Sequence, residues 1–130
     1  EWEYVASAGN ELPYWWGYQM EVGRAHCLTC GSDFTSKYPT RVGRFEPNAF
    51  GLYDTAGNVS EWVRDCYNRN YTGAPSDGAA WLGDADDCSR RVVRGGAYNS
   101  AGDSLKSQKR SAYNRKQGRM NIGFRIAREL

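Results

Sequence analysis

The sequence predicts an α+β domain, loop-rich and built on short antiparallel strands. Three observations carry that expectation. Fifteen glycines in 130 residues, set among short polar runs, favour turns over long helices. Helical amphipathic spacing is confined to the first eight residues, and the strand-like runs elsewhere are brief and well separated. A chain of this length also makes at most one domain with one core.

In chain order, Trp2 to Ala8 reads as the end of an amphipathic helix, stopped by Gly9-Asn10. Leu12-Pro-Tyr-Trp-Trp-Gly17 is an aromatic turn, and residues 21–40 form a loop carrying His26, Cys27 and Cys30. Residues 40–45 read as a short strand before the Glu46-Pro47 turn. Phe50 to Tyr53 leads into a tight turn over residues 54–57, and Val59 to Asp65 reads as a strand or a helical turn. A long polar loop covers 68–88. Arg91-Val-Val-Arg94 is strand-like, residues 98–121 are mostly loop, and Gly123 to Ala127 closes as a strand. This much irregular backbone calls for fastening by metal, cysteine bridges or a polar network.

Composition narrows the function classes. No window approaches the roughly 18 apolar residues a membrane span needs. Net charge is only +2, yet residues 1–88 hold six Lys/Arg against thirteen Asp/Glu while residues 89–130 hold eleven against two. Such asymmetry marks either an anion-binding face or two segments that neutralise each other on folding. Nucleic acid is not the expected partner; phosphate binding by Lys106, Lys109, Arg110, Arg115, Lys116 and Arg119 would show itself as a steep salt dependence. A lone histidine, His26, is a poor general base candidate and reads as a loop residue.

The four cysteines admit more than one reading. Cys27-x-x-Cys30 has knuckle spacing, and Cys66 and Cys88 could complete a four-thiolate zinc set. Zinc ribbons show two close pairs, however, so two disulfides, Cys27–Cys30 and Cys66–Cys88, are the favoured expectation. The longer bridge would contribute about 3 kcal/mol in the loop-entropy model.

Three motifs then stand out: Asn48-Ala-Phe-Gly-Leu-Tyr-Asp-Thr-Ala-Gly-Asn-Val-Ser-Glu-Trp62, Arg94-Gly-Gly-Ala-Tyr98 and Asn121-Ile-Gly-Phe-Arg125. Together they resemble the signature of the formylglycine-generating-enzyme/sulfatase-modifying family, whose fold is C-type lectin-like. The aromatic turn matches that family's Tyr-Pro-Trp-Gly element, with Trp15 in place of the proline. The resemblance spans nearly the whole chain. It implies that residues 1–130 are the C-terminal part of one such domain, with an N-terminal portion missing or supplied by another chain.

The resemblance also implies a structural Ca²⁺ held by Asp54, Gly57, Val59 and Glu61, the outer two through carboxylates and the inner two through backbone carbonyls. Physics allows this, since Ca²⁺ takes hard oxygen ligands at about 2.3–2.6 Å. From the residues alone the same stretch is a turn with two solvated acids. The family's second calcium site does not carry over, because His26-Cys-Leu-Thr-Cys-Gly31 lacks its carboxylates.

The family's enzymes place two copper-binding cysteines shortly after the Arg-Gly-Gly element and oxidise a substrate cysteine to formylglycine. Here Ser100 and Leu105 fall about where they would stand. Neither is a soft thiolate ligand, so no copper and no oxidase activity are expected. Iron-using relatives need histidines the chain lacks.

What remains is a display surface. Residues 98–121 are rich in Tyr, Asn, Ser, Gly and Asp, types suited to recognition. The segment is similar to the diversified region of the variable proteins of diversity-generating retroelements, which share the lectin-like fold. That likeness implies a protein or cell-surface ligand, an extracellular or cell-surface setting, and contact through Tyr98, Asn99, Ser100, Asp103, Ser104, Lys106, Gln108, Tyr113, Asn114, Lys116, Gln117, Arg119 and Asn121. Tyr98 and Tyr113 are the expected aromatic anchors. A formylglycine-generating enzyme, or a non-catalytic structural domain of the same family, is the alternative.

Overall fold

A short helix opens the molecule and a four-stranded sheet forms its spine; the computed structural model describes residues 1–83 and 88–128. Helix α1 spans Trp2–Ser7. Its stop is local chemistry: the Ala8 and Gly9 N–H groups reach back to the Val5 and Tyr4 carbonyls, and Ala8 and Gly9 both take positive φ.

Strands β1 (Ser60–Cys66), β2 (Arg90–Arg94), β3 (Ser111–Asn114) and β4 (Ile122–Gly123) assemble in the order β3-β2-β1-β4. The β1–β2 and β2–β3 pairings are antiparallel, with Glu61 opposite Arg94 and Val92 opposite Ala112. The short β1–β4 pairing is parallel and makes the sheet mixed. The closing strand is also shorter than residues 123–127, because only Ile122 and Gly123 reach β1 before the chain leaves the sheet.

Two further expectations change. Residues 40–45 form no strand: Gly43 bends the chain at φ 73, and the segment's N–H groups are taken by side chains, Thr40 by Asn58 Oδ1 at 2.9 Å and Gly43 by Asp54 Oδ2 at 2.7 Å. Residues 98–121 contain more structure than expected, with a 3₁₀ turn over Gly102–Leu105 and the whole of β3.

The buried hydrophobic cluster draws its residues from outside the strands. Tyr14, Ala25, Cys27, Cys30, Ala56 and Leu105 pack together, flanked by Trp15, Trp16 and Met20. Both expected disulfides form, Cys27–Cys30 within that cluster and Cys66–Cys88 at the end of β1. Bridges thus fasten the long loops that the backbone alone could not hold. Among the described residues no helix is long and apolar enough to cross a membrane.

Candidate functional site

The segment expected to display ligand contacts divides in two. Its first part belongs to the frame. Residues 92–98 are buried without interruption, and Gly96, at φ 68, faces Leu105 so closely that an added Cβ would lie 2.6 Å from Leu105 Cδ1. Tyr98 is 5% exposed; its ring stacks on the buried His26 at 6.2 Å and its N–H donates to the Asn58 carbonyl at 2.7 Å. It therefore cannot serve as a surface anchor, because the backbone turn after β2 points its side chain inward. Ser100 is likewise structural: its Oγ accepts the Ala97 N–H at 3.1 Å and its carbonyl accepts the Leu28 N–H at 2.9 Å. Leu105 is in the core and Ser107 is buried.

Arg94 ties this block down. Its guanidinium donates to the Ser107 carbonyl at 2.9 Å and to Glu3 at 2.8 Å, linking β2, α1 and the end of the block. From the rim of the block, Asp103 and Gln108 face solvent and Ser104 is half-buried. Asp103 holds Lys106 and, at 3.5 Å, Lys109; the hydrogen bond from Lys106 keeps its carboxyl below the ordinary range. Gln108 donates to the Leu12 carbonyl at 3.1 Å.

The second part is a true surface. Every residue from Asn114 to Met120 is exposed. Asn114 shapes the turn by accepting the Lys116 N–H at its Oδ1 (2.9 Å) and the Gln117 N–H at its carbonyl (3.1 Å). Tyr113 is half-buried beneath the Arg119 guanidinium, 4.6 Å from its ring centre. Asn121 reaches back to Asn99 Oδ1 at 3.0 Å, so Asn99, Asn121 and residues 113–120 share one rim. The strand that positions this surface was hidden in the sequence, because Ser111-Ala-Tyr-Asn is too short to alternate visibly.

Of the expected calcium residues, Asp54 and Glu61 already serve hydrogen bonds within the protein. Glu61 is buried, and its carboxylate is already engaged. Arg125 donates through Nη2 to Oε1 at 2.7 Å and through Nε to Oε2 at 3.0 Å, while Trp2 Nε1 donates to Oε2 at 2.7 Å. A carboxylate offers about four lone-pair positions, and a guanidinium already matches its charge. Glu61 therefore does not fit as an ion ligand in this arrangement. Asp54, at φ 55, spends one oxygen on the Gly43 N–H. Gly57 is required for another reason: a Cβ there would lie 2.5 Å from the His26 carbonyl oxygen. Val59 precedes β1 with its side chain against Gly123. Among the described residues no three His, Cys, Asp or Glu side chains cluster as metal ligands. The hydrogen bond from Arg125 to Glu61 raises the guanidinium pKa still further.

A family model described as the sulfatase-modifying factor enzyme 1-like domain matches residues 1–130. The chain belongs to this family. The chain is 35% identical over 132 residues to the serine/threonine-protein kinase pkn1 of Chlamydia pneumoniae, covering all of this chain and 20% of the kinase. PvdO from Pseudomonas aeruginosa superposes at a TM-score of 0.84 with 33% identity, over 95% of this chain and 48% of PvdO. Variable protein 1 of Treponema denticola superposes at 0.72 with 25% identity, over 95% and 43%. The chain thus spans a fifth of the kinase and about half of each of these two structures.

Proposed function

We propose that this chain is a non-catalytic, ligand-binding domain of the sulfatase-modifying family that presents residues 113–121, with Asn99, Asp103 and Gln108 at the rim, to a protein ligand. The observation that carries the reading is the unbroken exposure of residues 114–120, which run off the end of edge strand β3, while residues 92–98 are buried throughout. Side chains there can be exchanged without disturbing the core, as a variable surface requires. The similarity to a protein named as variable supports the same reading.

The oxidase chemistry of the family finds no support in the residues that stand where its cysteines would be. Leu105 is 1% exposed and packed in the core, and Ser100 Oγ is committed to the Ala97 N–H. A copper–thiolate site needs soft sulfur ligands, and all four cysteines are in disulfides. Those bridges suit an oxidising setting, outside the cell or at its surface.

The test is a display library. Randomising positions 114, 116, 117 and 119 should yield folded variants and, after selection against an unrelated protein such as lysozyme, specific binders. Randomising 98, 102, 105 and 107 should yield neither. Failure of the first library to give binders, or copper-dependent turnover of a cysteine peptide by the parent chain, would overturn the reading.

A further inference from the structure

Strand β3 is an edge of the sheet, so half of its backbone polar groups point away from β2. The Arg115 N–H donates to the Ser89 carbonyl, which fixes Ser111, Tyr113 and Arg115 as the inward-bonded positions in the Arg90–Asn114 register. Ala112 and Asn114 therefore turn their N–H and C=O groups to the open side. Each carbonyl already accepts one hydrogen bond: Arg90 Nη2 donates to that of Ala112 at 3.3 Å, and the Gln117 N–H to that of Asn114 at 3.1 Å. Their N–H groups find no acceptor among the described residues. The unpartnered backbone groups of the edge are thus donors.

Cations surround it. Arg90 lies over the Tyr67 ring at 4.9 Å, and Arg110 lies over Tyr71 at 4.1 Å and Tyr67 at 5.8 Å. Arg115 and Lys116, with Ser89 and Asn114, line a cleft of about 230 Å³ at the end of the strand. Among the described residues Arg90, Arg110, Arg115, Lys116 and Arg119 form no ion pair, in contrast to Lys106 and Lys109 on Asp103. A guanidinium stacked on a ring keeps its donor edge free and loses less rotamer freedom on binding.

We infer that this edge captures carboxylate side chains of an extended acidic segment in a partner protein. Ionised carboxylates are acceptor-only groups and match the unpartnered donors and cations of this edge. Phosphate would satisfy the charges equally, but the tyrosine rings of this face are spent on guanidinium groups rather than offered to bases, as a single-stranded nucleic-acid platform would need. The inference rests on the proposed reading of this face as the ligand surface and names its partner.

The experiment uses the intact chain and a fluorescein-labelled peptide of about twelve glutamates, followed by anisotropy. Binding should weaken steeply with added salt. The triple variant R110Q/R115Q/K116Q should lose about tenfold or more in affinity, a 1.4 kcal/mol effect or larger, with an unchanged melting temperature. The control K106Q/K109Q, whose cations already serve Asp103, should stay within about twofold of the parent. Absence of peptide binding, equal binding by the triple variant, or displacement of the peptide by an equal concentration of oligothymidylate would each overturn the inference. None of these touches the display-library result, so the general reading and the partner class fail separately.

Discussion

Residues 98–107 and 113–121 both open on Tyr-Asn and carry a Gly, yet the fold treats them oppositely. The first stretch follows the buried end of β2, wraps over Leu105 and returns its carbonyls to Arg94. The second runs off an edge strand and is exposed from Asn114 to Met120. Composition reports that a segment can recognise; only the position of its neighbours decides whether it faces outward. Tyr98 and Tyr113 make the point singly: one is wedged against His26, the other lies at the surface under Arg119.

That contrast can be broken by mutation, and the largest effect belongs to the frame. Leu105→Ala should destabilise the domain by about 3–4 kcal/mol in chemical denaturation, because it empties space in a core that is small to begin with. Next comes the latch between β1 and the C-terminal segment. Arg125→Met strands the buried Glu61 carboxylate and should cost about 2–3 kcal/mol, discounted because the arginine is part-exposed. For the same reason calcium should change the parent melting temperature by less than about 1 °C, since each degree corresponds to only a few tenths of a kcal/mol. A calcium-induced rise of several degrees in the parent would return the ion to Asp54 and Glu61. The smallest effect belongs to the display face: replacing Lys116, Gln117 and Arg119 together by Ala should alter stability by no more than about 0.5 kcal/mol.

Much of the frame was legible in the residues. The α+β class, the helix stop at Gly9, the β2 strand and both disulfide pairings follow from glycine placement, short apolar runs and cysteine spacing, while residues 59–65 read equally as a strand or a helical turn. What escaped depended on long-range pairing. β3 exists because Ser111-Ala-Tyr-Asn finds a register with Arg90–Val93, a partner some twenty residues away that no local pattern announces. Residues 40–45 failed as a strand because Asn58 and Asp54 side chains claimed their N–H groups first. In the candidate site, the inward turn of Tyr98 and the engagement of Glu61 by Arg125 are both tertiary facts. Sequence names such side chains but not their partners.

The most direct test is a saturation scan of every position from 98 to 121, scored only for folded, soluble protein. Two blocks should emerge, with 98, 102, 105 and 107 accepting almost nothing and 114–120 accepting nearly every residue type. Uniform tolerance across the segment, or rejection of substitutions at 114–120, would contradict the division on which the whole account stands.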